Sequence, residues 1–150
     1  MLFVAFTISA ADKLSPEKVN TIIEALSRLD PEVVKSNAAL KTALKQMLDA
    51  SRGELRFVGL VKKFRVKNRE ADLLEVAVKH PTDPAGAEAL RMVLSGKSQE
   101  LVRAKLYGKD AKQAAALAKA LGNSNNQKVI PLLAPLVTDT KVHNNVRKEA

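Results

Sequence analysis

From Val19 to Thr138 the apolar residues recur at i, i+3, i+4 and i+7, and no stretch of four or more residues alternates at period two between turn signals. The first spacing gives a helix one apolar stripe, whereas a half-buried strand needs the second. The chain is therefore expected to be all-α, built of antiparallel helix pairs. Four stripes are clear in the first half: Val19, Ile22, Ile23, Leu26 and Leu29; Leu40, Ala43, Leu44, Met47 and Leu48; Phe57, Leu60, Val61 and Phe64; and Leu73, Leu74, Ala77 and Val78. Three more follow in the second half: Ala87, Leu90 and Leu94; Leu101, Val102 and Leu106; and an Ala-rich run from Asp110 to Leu121. A last apolar helix spans Gln127 to Thr138, and its partner is expected to begin near Asn145.

The breaks between stripes carry start and stop chemistry. Ser15-Pro16, Asp30-Pro31 and Asp83-Pro84 each place a capping oxygen before a proline, which has no N–H to lose at the first helical position. Ser36-Asn37, Asn68, Ser98 and Asp110 are further N-cap candidates. His80-Pro81 ends a helix, because a residue before proline disfavours the helical region. Gly96, Gly108 and Gly122 are expected to follow helix ends. Gly59, inside a stripe, is expected to mark close helix packing. Pro131 fits a first turn, while Pro135 is expected to bend its helix.

At 150 residues and 46% hydrophobic, the chain has enough material for a sizeable core. Only 3% is aromatic, with no Trp, so that core must come from Leu, Val, Ile and Ala. Cysteine is absent, which excludes disulfides, thiolate metal ligands, thiol nucleophiles and a CxxCH haem attachment within this span.

Ala114 to Asn123, with its Ala-Leu-Gly end, resembles the second helix of a HEAT repeat. Val129 to Asp139, including Pro131, resembles the first helix of the next repeat, and Val146-Arg147 with Ala150 resembles the start of its second helix. The resemblance implies an armadillo-like α-solenoid of stacked helix pairs over residues 109–150, the last repeat truncated. Residues 15–107 are expected to form a less regular helical region, with a compact bundle as the alternative. A wider resemblance rests on the order of three segments: Arg65 to Leu74, Lys79 to Leu90, and the HEAT-like stretch. That order is similar to the helical region of exported planctomycete-type c-type cytochromes. It implies a helical region preceding a haem-binding domain, with haem c in a downstream part and no cofactor held by this chain.

Leu2 to Ala11 is a short apolar run ending in small residues, Ser9-Ala10-Ala11, before Asp12. About ten residues is too short to span a bilayer, which takes about 20. No basic residue precedes the run, so residues 1–11 are expected to be the remnant of an export signal whose true start lies upstream. The competing reading is an apolar terminal turn packed on the first helix. Export would place the protein in the periplasm or otherwise outside the cytosol.

The charge is uneven. Residues 1–50 hold six basic and six acidic residues, residues 51–100 hold ten and seven, and residues 101–150 hold nine and three, toward a net +9. Two groups are candidates for contact with a polyanion or an acidic partner: the cluster Lys62, Lys63, Arg65, Lys67 and Arg69, with Phe64 interleaved, and the later lysines Lys105, Lys109, Lys112, Lys119 and Lys128. The opposing reading is that Phe64 points to the core and the charges fan into solvent at a helix end.

Catalytic patterns are not apparent. His80 and His143 lack metal-ligand spacing; Glu70 with Asp72, and Glu17 with Glu24, suit helix first turns and exposed faces; no GxSxG elbow or Gly-rich phosphate loop occurs. The leading expectation is a non-enzymatic helical-repeat scaffold that binds a protein partner or a downstream domain of its own polypeptide. The alternatives are a nucleic-acid-binding HEAT-like domain using its basic helices, and a small helical enzyme.

Overall fold

Proline and its capping partner set the frame at three helix starts. The computed structural model describes residues 14–150 apart from Lys97. In it, Ser15 Oγ accepts from the Lys18 N–H at the head of α1 (Pro16–Arg28), Asp30 caps α2 (Pro31–Ser36), and Asp83 Oδ1 accepts from the Ala85 N–H at the head of α6 (Pro84–Ser95). Asn37 Oδ1 takes the N–H groups of Ala39 and Leu40, opening α3 (Ala38–Ala50). The remaining helices are α4 (Leu55–Phe64), α5 (Glu70–Lys79), α7 (Gln99–Leu106), α8 (Ala111–Asn123), α9 (Ile130–Thr138) and α10 (Asn144–Glu149). The described residues form ten α-helices and no strand, and none of these helices is long and apolar enough to cross a membrane. The apolar segment 1–11 lies outside the described residues.

Two compact units divide the chain, Met1–Met47 and Leu48–Ala150. In the first, Val19, Ile23 and Leu26 of α1 and Met47 of α3 are buried, as the stripes require, and Val34 of α2, outside the named stripes, is buried with them. In the second, α8 is the hub, touching α5, α6, α7 and α10. It buries Ala114, Leu117, Ala118, Ala120 and Leu121 completely or nearly so. Three alanines among those five let neighbouring backbones come close, and the two leucines fill the space between.

α5 and α6 form a helical hairpin over the short His80–Asp83 turn. Here glycine is required. A Cβ on Gly86 would stand 2.0 Å from the His80 carbonyl oxygen, so only a residue without a side chain lets the first turn of α6 press onto the preceding turn. His80 itself lies 3.3 Å, through Nε2, from the Gly53 carbonyl oxygen, and Gly53 sits at φ +72°. The α3–α4 connection is thereby tied to the end of α5.

Several local expectations need correction. Gly59 is exposed, with open space where its Cβ would be, so it marks no close packing. Gly122 does not end α8; the helix runs on to Asn123, and the left-handed residue beyond it is Asn125 at φ 52°. Asn68 does not cap α5. It takes φ 60°, and Arg69 occupies the cap position with no side-chain bond to the helix. Ser98 holds its cap position without a side-chain bond. Gln127 to Thr138 is a 3₁₀ turn, Gln127–Val129, followed by α9.

Candidate interaction surface

The two basic groups singled out by sequence are treated differently by the fold. In the first, α4 buries Phe57, Val58, Leu60, Val61 and Phe64 and then stops at Arg65, whose φ of 50° is left-handed. The Val66 N–H reaches back to the Val61 carbonyl at 3.1 Å, closing the helix end. Phe64 is only 5% exposed, so it offers no platform for a stacked base. Lys63 Nζ lies 5.8 Å from the Phe64 ring centroid. Lys62 Nζ pairs with Glu88 Oε1 at 2.6 Å, and Arg91 holds the other oxygen at the same distance. Hydrogen bonds from Lys62 and then Arg91 hold the Glu88 carboxyl below its ordinary range, against a smaller opposing effect of burial.

Arg69 is more deeply committed. Its side chain is 16% exposed and bridges Asp72 Oδ2 and Asp49 Oδ1, each at 2.9 Å. Arg52 joins the same carboxylates at 3.2 Å and 3.7 Å. The hydrogen bonds that Arg69 donates to Asp72 and Asp49 raise its guanidinium above its ordinary value. For Asp49, burial pushes upward most strongly of any single cause. Hydrogen bonds and charges from Arg69 and Arg52 together outweigh it and leave the carboxyl lowered. This network links the end of α3 to the start of α5. Of the first basic group, Arg65 and Lys67 are left exposed, with no carboxylate partner among the described residues.

The second group keeps its charge open. Residues 101–150 contain Arg103, Lys105, Lys109, Lys112, Lys119, Lys128, Lys141, Arg147 and Lys148. None of these lies within ion-pair distance of a carboxylate among the described residues, where the ion pairs run from Glu24 to Arg91. Two of the three acids in this segment, Asp110 and Asp139, are occupied otherwise, and the third, Glu149, lines a groove with Lys112 and Lys148. Asp110 Oδ1 accepts the N–H groups of Lys112 and Gln113 at the head of α8, and Asp139 Oδ1 accepts the Lys141 N–H. Lys105 donates to the neutral Gln113 Oε1, and Arg147 to the Val137 carbonyl and to Asn144.

Three recesses interrupt this surface. Lys112 and Lys119 share one face of α8, two turns and about 10 Å apart, with the small Ala115 and Ala116 between them. Beside Lys112, a shallow groove of about 500 Å³ runs between α8 and α10 past Ala115, Asn145 and Lys148. A second, of about 450 Å³, lies where Glu75 and Lys79 of α5 face Lys105 and Gln113. The third, about 350 Å³, opens between the α7–α8 turn and the α9–α10 turn, and brings Lys109, Lys141 and His143 around an apolar floor. Sequence reasoning missed this cleft, because its lining comes from two turns far apart in the chain and neither turn carries a motif. Lys141 and His143 beside a turn Asp were the only local signal.

α9 presents apolar groups on both sides. Leu132, Leu133 and Leu136 are buried, while Ile130 is 60% and Val137 48% exposed, with Pro131, Ala134 and Pro135 also outward. Both prolines thus face solvent. The described residues contain no group of three or more His, Asp or Glu side chains placed to hold a metal ion.

Comparison with protein-family models, with curated proteins and with solved structures finds no match to this chain.

Proposed function

We propose that this chain is a non-catalytic helical interaction module that binds an acidic protein partner through its C-terminal third. One observation carries the reading. Nine basic residues from Arg103 to Lys148 stand without carboxylate partners among the described residues, and Asp110 and Asp139 of the same segment are engaged in capping their own turns. Uncompensated like charges on one surface repel each other and destabilise the folded chain slightly, so a polyanionic partner lowers the energy of the whole. Contact spread over helix faces, with many weak pairs, is how helical arrays recognise partners.

The finer reading follows the resemblances. The helix pairs of residues 109–150 are proposed to stack as HEAT-like repeats, and the chain to be the helical part of an exported c-type cytochrome-like protein whose haem domain lies downstream. In that setting the partner is another protein or the redox domain of the same polypeptide. A CxxCH motif in the coding sequence downstream, and a basic stretch upstream of residue 1, would support this version. Cytosolic coding with neither would remove it while leaving the interaction module.

The test is direct. Full-length chain is titrated with labelled poly-glutamate and with a duplex DNA, at low and at physiological salt. Binding of poly-glutamate that weakens steeply with salt is expected. Duplex binding that is tighter, with a log–log salt slope of several units, would favour the nucleic-acid alternative. No binding of either at low salt would overturn the reading.

A further inference from the structure

We propose that the cleft between the Tyr107–Asp110 turn and the Asp139–His143 turn is an anchor pocket for one apolar residue of an acidic peptide segment. The inference rests on the acidic-partner reading above and specifies where and how that partner is gripped.

The cleft is chemically two-sided. Leu106, Ala114 and Val146 close its floor at 2% exposure or less, and Val142 and Tyr107 supply its accessible apolar wall. Its rim carries Lys109, Lys141 and the His143 imidazole. Asp139, the one carboxylate among the lining residues, accepts the Lys141 N–H at 2.9 Å through one oxygen, and neither Lys109 nor Lys141 lies within ion-pair distance of a carboxylate among the described residues. Tyr107 stands at the mouth, 51% exposed. It is the only tyrosine of the chain, a ring that can pack on an apolar group and a hydroxyl that can bond to a peptide.

The volume of about 350 Å³ is near the lower limit for small-ligand sites. It suits one branched apolar side chain with its flanking backbone. Charge complementarity sets the remainder of the occupant: carboxylates on either side of that residue reach Lys109 and Lys141. A second copy of this chain fits poorly, since residues 101–150 carry nine basic groups against three acidic ones on each copy. A nucleic acid offers phosphates to the rim and no aliphatic group to the floor.

The experiment uses the full chain and two labelled peptides of equal charge, Gly-Glu-Glu-Leu-Glu-Glu-Gly and the same sequence with Ser in place of Leu, followed by fluorescence anisotropy. Burying the Leu side chain should tighten binding by about tenfold over Ser. The double variant Lys109→Ala/Lys141→Ala should weaken the Leu peptide by about tenfold, while Lys119→Ala/Lys128→Ala, away from the cleft, should change it by no more than about threefold. Matching circular-dichroism melts establish that each variant folds. Equal affinity for the two peptides, or an equal loss in the two double variants, overturns the pocket but leaves the acidic-partner reading standing. Failure of both peptides to bind even at low salt overturns both. Oligothymidine bound more tightly than the Leu peptide overturns the pocket in favour of a nucleic-acid surface.

Discussion

Residues 48–91 and residues 99–150 belong to one compact unit, are both helical, and handle charge in opposite ways. In the first stretch Arg52, Arg69, Lys62, Lys79 and Arg91 each meet a carboxylate, and Arg69 and Arg52 both reach Asp49 and Asp72. In the second, nine cations meet none among the described residues, and Asp110 and Asp139 serve backbone N–H groups. The lesson is that a basic cluster in sequence is a poor guide to a basic surface. Lys62 to Arg69 is the densest run of positive charge in the chain, yet the fold ties Lys62 and Arg69 to carboxylates of other helices. The sparser lysines after residue 100 are the ones left facing outward.

The comparison can be broken at four points. The largest effect is expected at Gly86. A Gly86→Ala change sets its Cβ against the His80 carbonyl at 2.0 Å, backbone against backbone, and should cost about 2–4 kcal/mol in urea unfolding. A loss below about 0.5 kcal/mol would show that the α5–α6 hairpin is not held by close approach.

Next comes Arg69→Met, which leaves Asp49 and Asp72 with only the longer contacts of Arg52. Because the arginine side chain is 16% exposed and the carboxylates 43% and 18%, a loss of about 1–3 kcal/mol is expected, below the cost of breaking a fully buried pair. Chemical denaturation of the variant measures it.

A smaller effect should appear in acid. Asp49 and Glu88 titrate below their ordinary values of 3.8 and 4.5 in the folded chain. The unfolded chain therefore binds more protons in that window. Their stabilisation is complete above the unfolded values and is lost as pH falls below about 4.5 toward the lowered folded values. Asp49 is 43% exposed, so solvent screens much of its share. The double variant Asp49→Asn/Glu88→Gln should flatten the acid side of a stability-versus-pH curve; an unchanged slope would mean these pairs contribute nothing measurable.

The smallest effect belongs to the other region. Lys112→Ala/Lys119→Ala removes two cations with no ion-pair partner, and stability should stay within about 0.5 kcal/mol of the parent or rise slightly. A loss comparable to that of Arg69→Met would erase the contrast between the two stretches.

Much of the fold was legible because helices announce themselves locally. The apolar stripes name Val19, Ile23, Leu26, Phe57, Val61, Leu74 and Leu90 as core, and all are buried. Aspartate or serine before proline gives three helix starts. Glycine was the less reliable sign. Gly59 and Gly122 looked like packing and stop signals and are neither, whereas Gly86, a glycine the periodicity did not single out, is the one the packing needs. The reason is that a glycine's meaning depends on what approaches it, and that is set by a different segment. The cleft at Lys109, Lys141 and His143 was illegible for the same reason.

Sequence by itself thus determined the all-helical class, where most helices start, which faces are apolar and the rising positive charge toward residue 150, since each depends on residues within a few turns of one another. Tertiary structure decided that α8 is the hub, that Arg69 is a strut between Asp49 and Asp72, and that two distant turns make one cleft. Those outcomes turn on which segments meet in space. A cation's role follows from whether a carboxylate from elsewhere in the chain reaches it, and no local pattern encodes that meeting.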